Sequence, residues 1–98
     1  MPWQVYIIRC KDGLFYTGIT NDLVRRIKAH KSGNGCKFTR SRTPIKLLYS
    51  ETAFNRSSAL KREARIKKLS KKEKRKLINL RRLLWVKQSK VQKQKKTY

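Results

Sequence analysis

Between Tyr16 and His30 the chain switches from a two-residue pattern to a 3.6-residue one, and this switch constrains the fold more than any other feature. Leu14 to Ile19 reads as a strand and contains Gly18. Thr20, Asn21 and Asp22 follow as three candidate N-caps, each with a side-chain oxygen that can accept from a first-turn amide. Behind them Leu23, Ile27 and His30 recur at helical spacing, so a helix is expected to about Lys31, where Ser32-Gly33-Asn34-Gly35 stops it. Arg26 and His30, the only histidine, then sit one turn apart at the edge of the apolar stripe, while Arg25 and Lys28 point outward.

Trp3 to Cys10 is rich in β-branched and aromatic residues and predicts the strand before it, joined through Lys11-Asp12-Gly13. The length of that turn decides where two tyrosines lie. A two-residue Asp12-Gly13 turn pairs Arg9 with Tyr16 and places Tyr6 and Tyr16 on opposite faces. A three-residue loop with Gly13 left-handed pairs Ile8 with Tyr16 and Tyr6 with Gly18, so both tyrosines share a face. A common site requires the second register. Gly18 opposite Tyr6 would leave room above that ring for a substrate.

Residues 36 to 44 read as a basic loop holding Phe38, Arg40 and Arg42, and Pro44 leads into a third strand, Ile45 to Thr52. Asn55 to Ser58 can cap a second helix, Ala59 to about Leu69. Ser70-Lys71-Lys72-Glu73 has the form of a capping box and opens a third helix with Leu77, Leu80 and Leu84 on one stripe, ending near Lys87. Gln88 to Tyr98 is polar and basic and reads as a disordered tail. The order β-β-α-β-α-α describes a small α+β domain over residues 1–87, a three-stranded antiparallel sheet with helices packed against it.

The chain has 98 residues, 28 Lys+Arg against 5 Asp+Glu, and a net charge of +23. Self-repulsion at this density opposes compaction, and a polyanionic partner relieves it. Nucleic acid is the expected partner: DNA first, RNA as the alternative. No segment has the apolar length of a membrane span or the layout of a signal peptide, so a cytoplasmic protein is expected. Cys10 and Cys36 read as reduced thiols, and with His30 they lack zinc-ligand spacing. Of the basic residues, 18 of the 28 lie from Arg56 onward and form an electrostatic arm toward phosphates. Arg25, Lys37, Arg40, Arg42, Lys67 and Lys68 are expected on the nucleic-acid surface. Phe38 could stack on a base or anchor the core.

Glu63 is the sharpest chemical clue. Ala59, Leu60, Glu63, Ala64 and Ile66 fall in one arc of the second helix, and the carboxylate projects from its middle. A buried carboxylate must be paired, protonated or bound to a metal. An ion pair with one of the many cations and a metal-ligand role are both open at this point.

These residues resemble the GIY-YIG nuclease superfamily, in particular its small stand-alone, UPF0213-like branch. The first family motif falls on Gln4-Val5-Tyr6 and the second on Tyr16-Thr17-Gly18. The helix with Arg26 and His30 matches the next motif, and Ala59-Leu60-Lys61-Arg62-Glu63 matches the glutamate helix. Lys37-Phe38-Thr39-Arg40 and Leu47 to Glu51 also look like the stand-alone branch. The resemblance implies an endonuclease that hydrolyses phosphodiester bonds with one weakly held Mg²⁺ or Mn²⁺ ion and no small-molecule cofactor, and a place in DNA repair or recombination. It implies Glu63 as metal ligand, Arg26 on the scissile phosphate, Tyr6 as general base, Tyr16 positioning the attacking water, and His30 orienting a tyrosine. Two departures are visible: Gln4 stands where the family name has glycine, and Asn79 is the only candidate for an asparagine that many members carry after the glutamate helix. That role is not carried over to Asn79. A binding module on the same fold, gripping DNA or RNA without cutting it, is the alternative.

Overall fold

A computed structural model describes the backbone of residues 2–96 and the side chains of residues 2–83. The chain divides at Lys68/Leu69 into two compact units. The first carries strands β1 (Trp3–Arg9), β2 (Phe15–Thr20) and β3 (Lys46–Ala53) with helices α1 (Leu23–Lys31), α2 (Lys37–Arg40) and α3 (Arg56–Lys68). The second carries α4 (Lys71–Lys96).

The sheet is antiparallel in the order β2-β1-β3. The central strand is apolar at both parities, and Val5, Tyr6, Ile7 and Ile8 are all fully buried. Tyr6, Ile8 and Cys10 pack with Ile27 of α1 and Ile45, and Tyr16, Leu23, Phe38 and Leu47 close around them. On the opposite face Val5 and Ile7 stand in register with Glu51 and Tyr49. There α3 lies on the sheet: Arg62 Nε donates to Glu51 Oε1 at 2.7 Å, and Ala59 and Ile66 are fully buried.

The hairpin adopts the three-residue register, with Ile8 opposite Tyr16 and Tyr6 opposite Gly18. Gly13 has φ +83, and the Cys10 amide donates to the Leu14 carbonyl at 2.8 Å. A left-handed residue closing such a loop favours glycine because it has no Cβ to clash. Asp22 caps α1 by accepting from the Arg25 amide at 3.2 Å. Ser70 and Glu73 form the capping box, with each side chain accepting from the other residue's amide.

Four details differ from the sequence-based expectations. The 36–44 loop contains the single helical turn α2, which carries the buried Thr39. The helix expected from Ala59 starts at Arg56, because Asn55 Oδ1 accepts from the Ser58 amide at 2.8 Å and makes Asn55 the cap. Its inward arc is Ala59, Arg62, Glu63 and Ile66, with Arg62 reaching Glu51 on β3, and Leu60 and Ala64 face solvent. Finally, α4 is helical through Lys96, past the expected end near Lys87 and over most of the segment read as a tail. No glycine or proline interrupts it, and its lysines and glutamines are good helix formers. Thr97 and Tyr98 of that tail lie outside the described residues, as does the side chain of Leu84 from the expected stripe. Among the described residues no helix is long and apolar enough to cross a membrane.

One polar atom in the sheet is unsatisfied: Thr17 Oγ1 is buried and finds no partner among the described residues. Thr17→Val keeps the side-chain shape and removes the stranded hydroxyl. It is expected to raise unfolding stability by about 1 kcal/mol. Urea denaturation checks this; a loss of stability would mean that the hydroxyl is satisfied in solution.

Candidate active site

The site grows from the pairing of Tyr6 with Gly18. A methyl group on Gly18 would lie 2.6 Å from the Tyr6 hydroxyl oxygen and 3.1 Å from a ring carbon of Tyr16. The space expected to be open for a substrate above Gly18 is therefore filled by the phenol of Tyr6 itself. The Tyr6 and Tyr16 ring centroids are 6.4 Å apart, and His30 lies 5.7 Å from the first and 5.4 Å from the second. His30 is fully buried beneath Gly35, where any Cβ would collide with Nδ1.

The hydrogen bonds define a proton wire. Arg26 Nε donates to the Tyr6 hydroxyl at 3.4 Å. Tyr6 and His30 Nε2 are 2.9 Å apart, and His30 Nδ1 is 2.9 Å from Thr39 Oγ1. Thr39 can donate only once, and the Cys36 carbonyl lies 3.4 Å from its hydroxyl. Arg26 has no acceptor, so the Tyr6 oxygen accepts from it and needs an acceptor for its own proton. One assignment satisfies every buried group: Tyr6 O–H donates to Nε2, Nδ1–H donates to Thr39, and Thr39 O–H donates to Cys36. His30 is then a neutral imidazole with its basic nitrogen on the tyrosine.

The charge environment agrees. Burial, then the Arg26 charge, lowers the His30 pKa from its ordinary value. Burial raises that of Tyr6, and the Arg26 hydrogen bond and charge work against the rise. Tyr16 is pushed up to about 12, first by burial and then by Tyr6 and Cys36. Its phenol stays protonated at neutral pH. Burial pushes the Cys36 thiol up, but hydrogen bonds from Thr39, Tyr16 and the Phe38 backbone outweigh this and lower it.

The Glu63 charge, the smallest of the influences on Tyr6, opposes ionisation of that phenol. The Glu63 side chain is 17% exposed, and its only ion pair among the described residues is a 3.6 Å contact with Lys67, which is itself largely in solvent. Such a pair holds a carboxylate weakly. Among the described residues no three His, Cys, Asp or Glu side chains gather into a ligand set. A single hard carboxylate with free oxygens fits a cation such as Mg²⁺ that keeps most of its waters and borrows phosphate oxygens.

Tyr6, Tyr16, Arg26 and His30 are thus brought together, while Glu63 stands on α3 and is linked to them only through its weak charge effect on Tyr6. The expected nucleic-acid contacts divide. Arg25 is exposed beside an open groove of about 390 Å³ lined by Thr20, Asn21, Asp22, Arg25, Arg26 and Ala29. Lys37, Arg40, Lys67 and Lys68 are exposed. Phe38 packs inward, stacked on Tyr16 at 5.6 Å and covered by the Arg42 guanidinium at 4.4 Å. Arg42 also pairs with Asp12 at 3.1 Å and donates to the Phe38 carbonyl at 2.7 Å. Both residues hold the wall of the site together.

The chain matches a known family. Residues 2–77 fit the family described as the GIY-YIG catalytic domain. The chain belongs to the GIY-YIG family. A UPF0213 protein of Halobacterium salinarum is 48% identical over 71 residues, covering 72% of this chain and 92% of that protein. One from Desulfotalea psychrophila is 52% identical over 77 residues, covering 78% and 70%. The solution NMR structure of a UPF0213 protein from Bacillus halodurans superposes with TM-score 0.53 at 44% identity, covering 82% of this chain and 85% of that one. GIY-YIG domains define a nuclease family, so a nucleic-acid substrate follows for this chain at the level of class.

Sequence reasoning missed Thr39, Gly35 and Cys36 as parts of the site. None lies on the helix that carries His30, and nothing in their spacing ties them to it. Thr39→Val leaves His30 Nδ1 without a partner in a buried place and is expected to cost about 1–3 kcal/mol of stability. Thr39→Ser is expected to retain most of it. Denaturant unfolding of the three proteins checks this, and equal stability of the Val variant would break the proton wire.

Proposed function

We propose that this protein is a divalent-metal-dependent endonuclease that hydrolyses phosphodiester bonds in DNA, with RNA as the alternative substrate. The observation that carries the reading is the Tyr6 hydroxyl, held between a guanidinium and the basic nitrogen of a neutral imidazole. A phenol with an ordinary pKa near ~10 is a poor base at neutral pH. Here its proton has an acceptor. As Tyr6 takes a proton from the attacking water, its own proton passes to His30 Nε2, and His30 keeps its other N–H on Thr39.

Arg26 has two tasks in this scheme. In the free protein its long bond to Tyr6 caps a fully buried hydroxyl. A phosphate is a better, bidentate partner for a guanidinium than a neutral phenol. A substrate that recruits Arg26 therefore uncovers Tyr6. Arg26 is kept charged by its hydrogen bonds and proximity to the tyrosines, and in the transition state it stabilises the phosphate it holds. Tyr16, protonated and half-buried, donates to the attacking water. Glu63 is the residue that would hold the metal ion, which supplies Lewis-acid stabilisation of the phosphoryl oxygens when bound.

The second reading, a binding module on the same fold, has one observation in its favour: Tyr6 is completely buried in the free protein. A cleavage panel separates the two. Labelled duplex, branched and single-stranded DNA and RNA are incubated at low salt with Mg²⁺ or Mn²⁺, with wild type and Glu63→Gln. Metal-dependent cutting is expected, with Glu63→Gln losing at least about 100-fold, the scale of removing one preorganised charged group. Binding should survive the substitution. Tight binding by both proteins with no cutting of any substrate would establish the module instead.

A further inference from the structure

Phe54 is the one aromatic side chain among the described residues that stands in solvent, at 92% exposure. A phenylalanine left in water forgoes the favourable burial of its ring. Its place in the chain makes the exposure informative. Asn55 caps α3, so Phe54 immediately precedes the cap, and the fourth helical residue is Ala59. A hydrophobic residue before a cap commonly packs on that fourth position as a staple. Here Ala59 is fully buried and Phe54 is turned away from it. The turn is nevertheless fixed. Asn55 Oδ1 accepts from the Ser58 amide at 2.8 Å, and its carbonyl accepts from the Ala59 amide at 3.0 Å.

The surroundings are those of an anion-facing site. Arg56, in the first turn of α3, lies 5.9 Å over the Trp3 ring, and that turn has no acidic residue. Trp3 pairs with Ala53, and Gln4 with both Thr20 and Thr52, so Phe54 leaves the sheet at the end where β2 turns into α1. The groove beside Arg25 and Arg26 opens at that same end. Two strand spacings separate β3 from β2, about 10 Å, and Tyr6 is three residues along β1 from Trp3, again about 10 Å. A nucleic-acid strand covers such a span in a few nucleotides at about 3.4 Å each.

We propose that Phe54 is a nucleobase-stacking subsite. With a phosphate at Arg26, the strand runs across this end of the sheet and an unpaired base stacks on the Phe54 ring, while Arg56 meets the adjoining phosphate. The substrate class is nucleic acid with an unpaired base a few nucleotides from the scissile phosphate, such as a single strand, flap or junction, in preference to continuous duplex. A second copy of this chain or a membrane fits the surface less well. Thr52 and Asn55, close to it in the chain, are polar and exposed, and a net charge of +23 repels a like copy. The subsite rests on the nuclease reading only for the position of the scissile phosphate; stacking itself needs no chemistry.

The test is binding without divalent metal, which leaves stacking measurable whether or not the protein cuts. Full-length wild type, Phe54→Ala and Phe54→Trp are titrated into a single strand carrying 2-aminopurine and into a blunt duplex of the same sequence. Phe54→Ala is expected to weaken single-strand binding by about 5- to 150-fold, matching stacking of one base. It should lose the 2-aminopurine quench, change duplex binding less than about 2-fold, and keep the thermal midpoint of wild type. Phe54→Trp should bind the single strand at least as well as wild type. Unchanged single-strand affinity in Phe54→Ala, an equal loss on both substrates, or dissociation of a dimer by the substitution would overturn the subsite. If wild type cleaves nucleic acid but Phe54→Ala behaves as wild type here, the subsite falls and the nuclease reading stands. The expected binding with no cleavage of any substrate would leave the subsite on a binding module.

Discussion

The bond between the Tyr6 hydroxyl and His30 Nε2 is the interaction on which the rest of this structure depends. It joins the central strand to α1 inside the core at 2.9 Å, where an unsatisfied partner would be costly. Each neighbour is shaped around it. Gly18 must lack a side chain because the phenol occupies that space, and Gly35 must lack one because the imidazole does. Thr39 holds the far side of the ring, which accounts for a single helical turn in the middle of an otherwise irregular segment. A buried polar pair of this kind specifies one packing of sheet and helix, and here it also sets the protonation state of the chemistry.

The distribution of acidic residues sharpens the assignment of Glu63. The sequence holds 5 Asp+Glu. Asp22 and Glu73 cap helices, Asp12 pairs with Arg42 at 3.1 Å, and Glu51 pairs with Arg62 at 2.7 Å. Each of these has a structural role at hydrogen-bond distance. Among the described residues Glu63 has only the longer contact to a largely exposed lysine, and it lies half-buried on the inward arc of α3. In the proposed nuclease, this shielded carboxylate without a close basic partner would be the place where a metal ion adds positive charge. In the same proposal the cations from Arg56 onward would give long-range, salt-sensitive attraction to a polyanion and Arg26 the local contact.

Much of this was legible in the sequence because the signals are local. The Lys11-Asp12-Gly13 turn offers two registers in the sequence, and the structure adopts the three-residue one that puts both tyrosines on one face. Asp22 and the Ser70–Glu73 box mark helix starts through residues three apart, and His30 follows Arg26 by one turn. What escaped depends on contacts distant in sequence. The inward arc of α3 includes Arg62, which reaches Glu51 on β3, while Leu60 and Ala64, apolar by composition, lie outward. Thr39 meets His30 across the turn that holds Gly35, and no periodicity connects them. Phe38 and Phe54 look alike as loop aromatics; only packing separates the one that stacks on Tyr16 from the one that meets solvent.

Because His30 is the only histidine, its titration reads the central arrangement directly. Long-range ¹H–¹⁵N correlation spectra of the imidazole, recorded from pH 8 to pH 5, report both tautomer and pKa. A neutral ring that holds Tyr6's proton on Nε2 must carry its own proton on Nδ1. Its pKa must lie below the ordinary value of about 6.5, because burial and Arg26 both oppose the charged form. The folded protein then binds fewer protons than the unfolded chain as the pH falls through that value, so stability declines with acidification. An Nδ1–H tautomer with a midpoint below 6.5 is the expected result. An Nε2–H tautomer, or a midpoint at or above 6.5, would contradict the wiring of Tyr6 to His30.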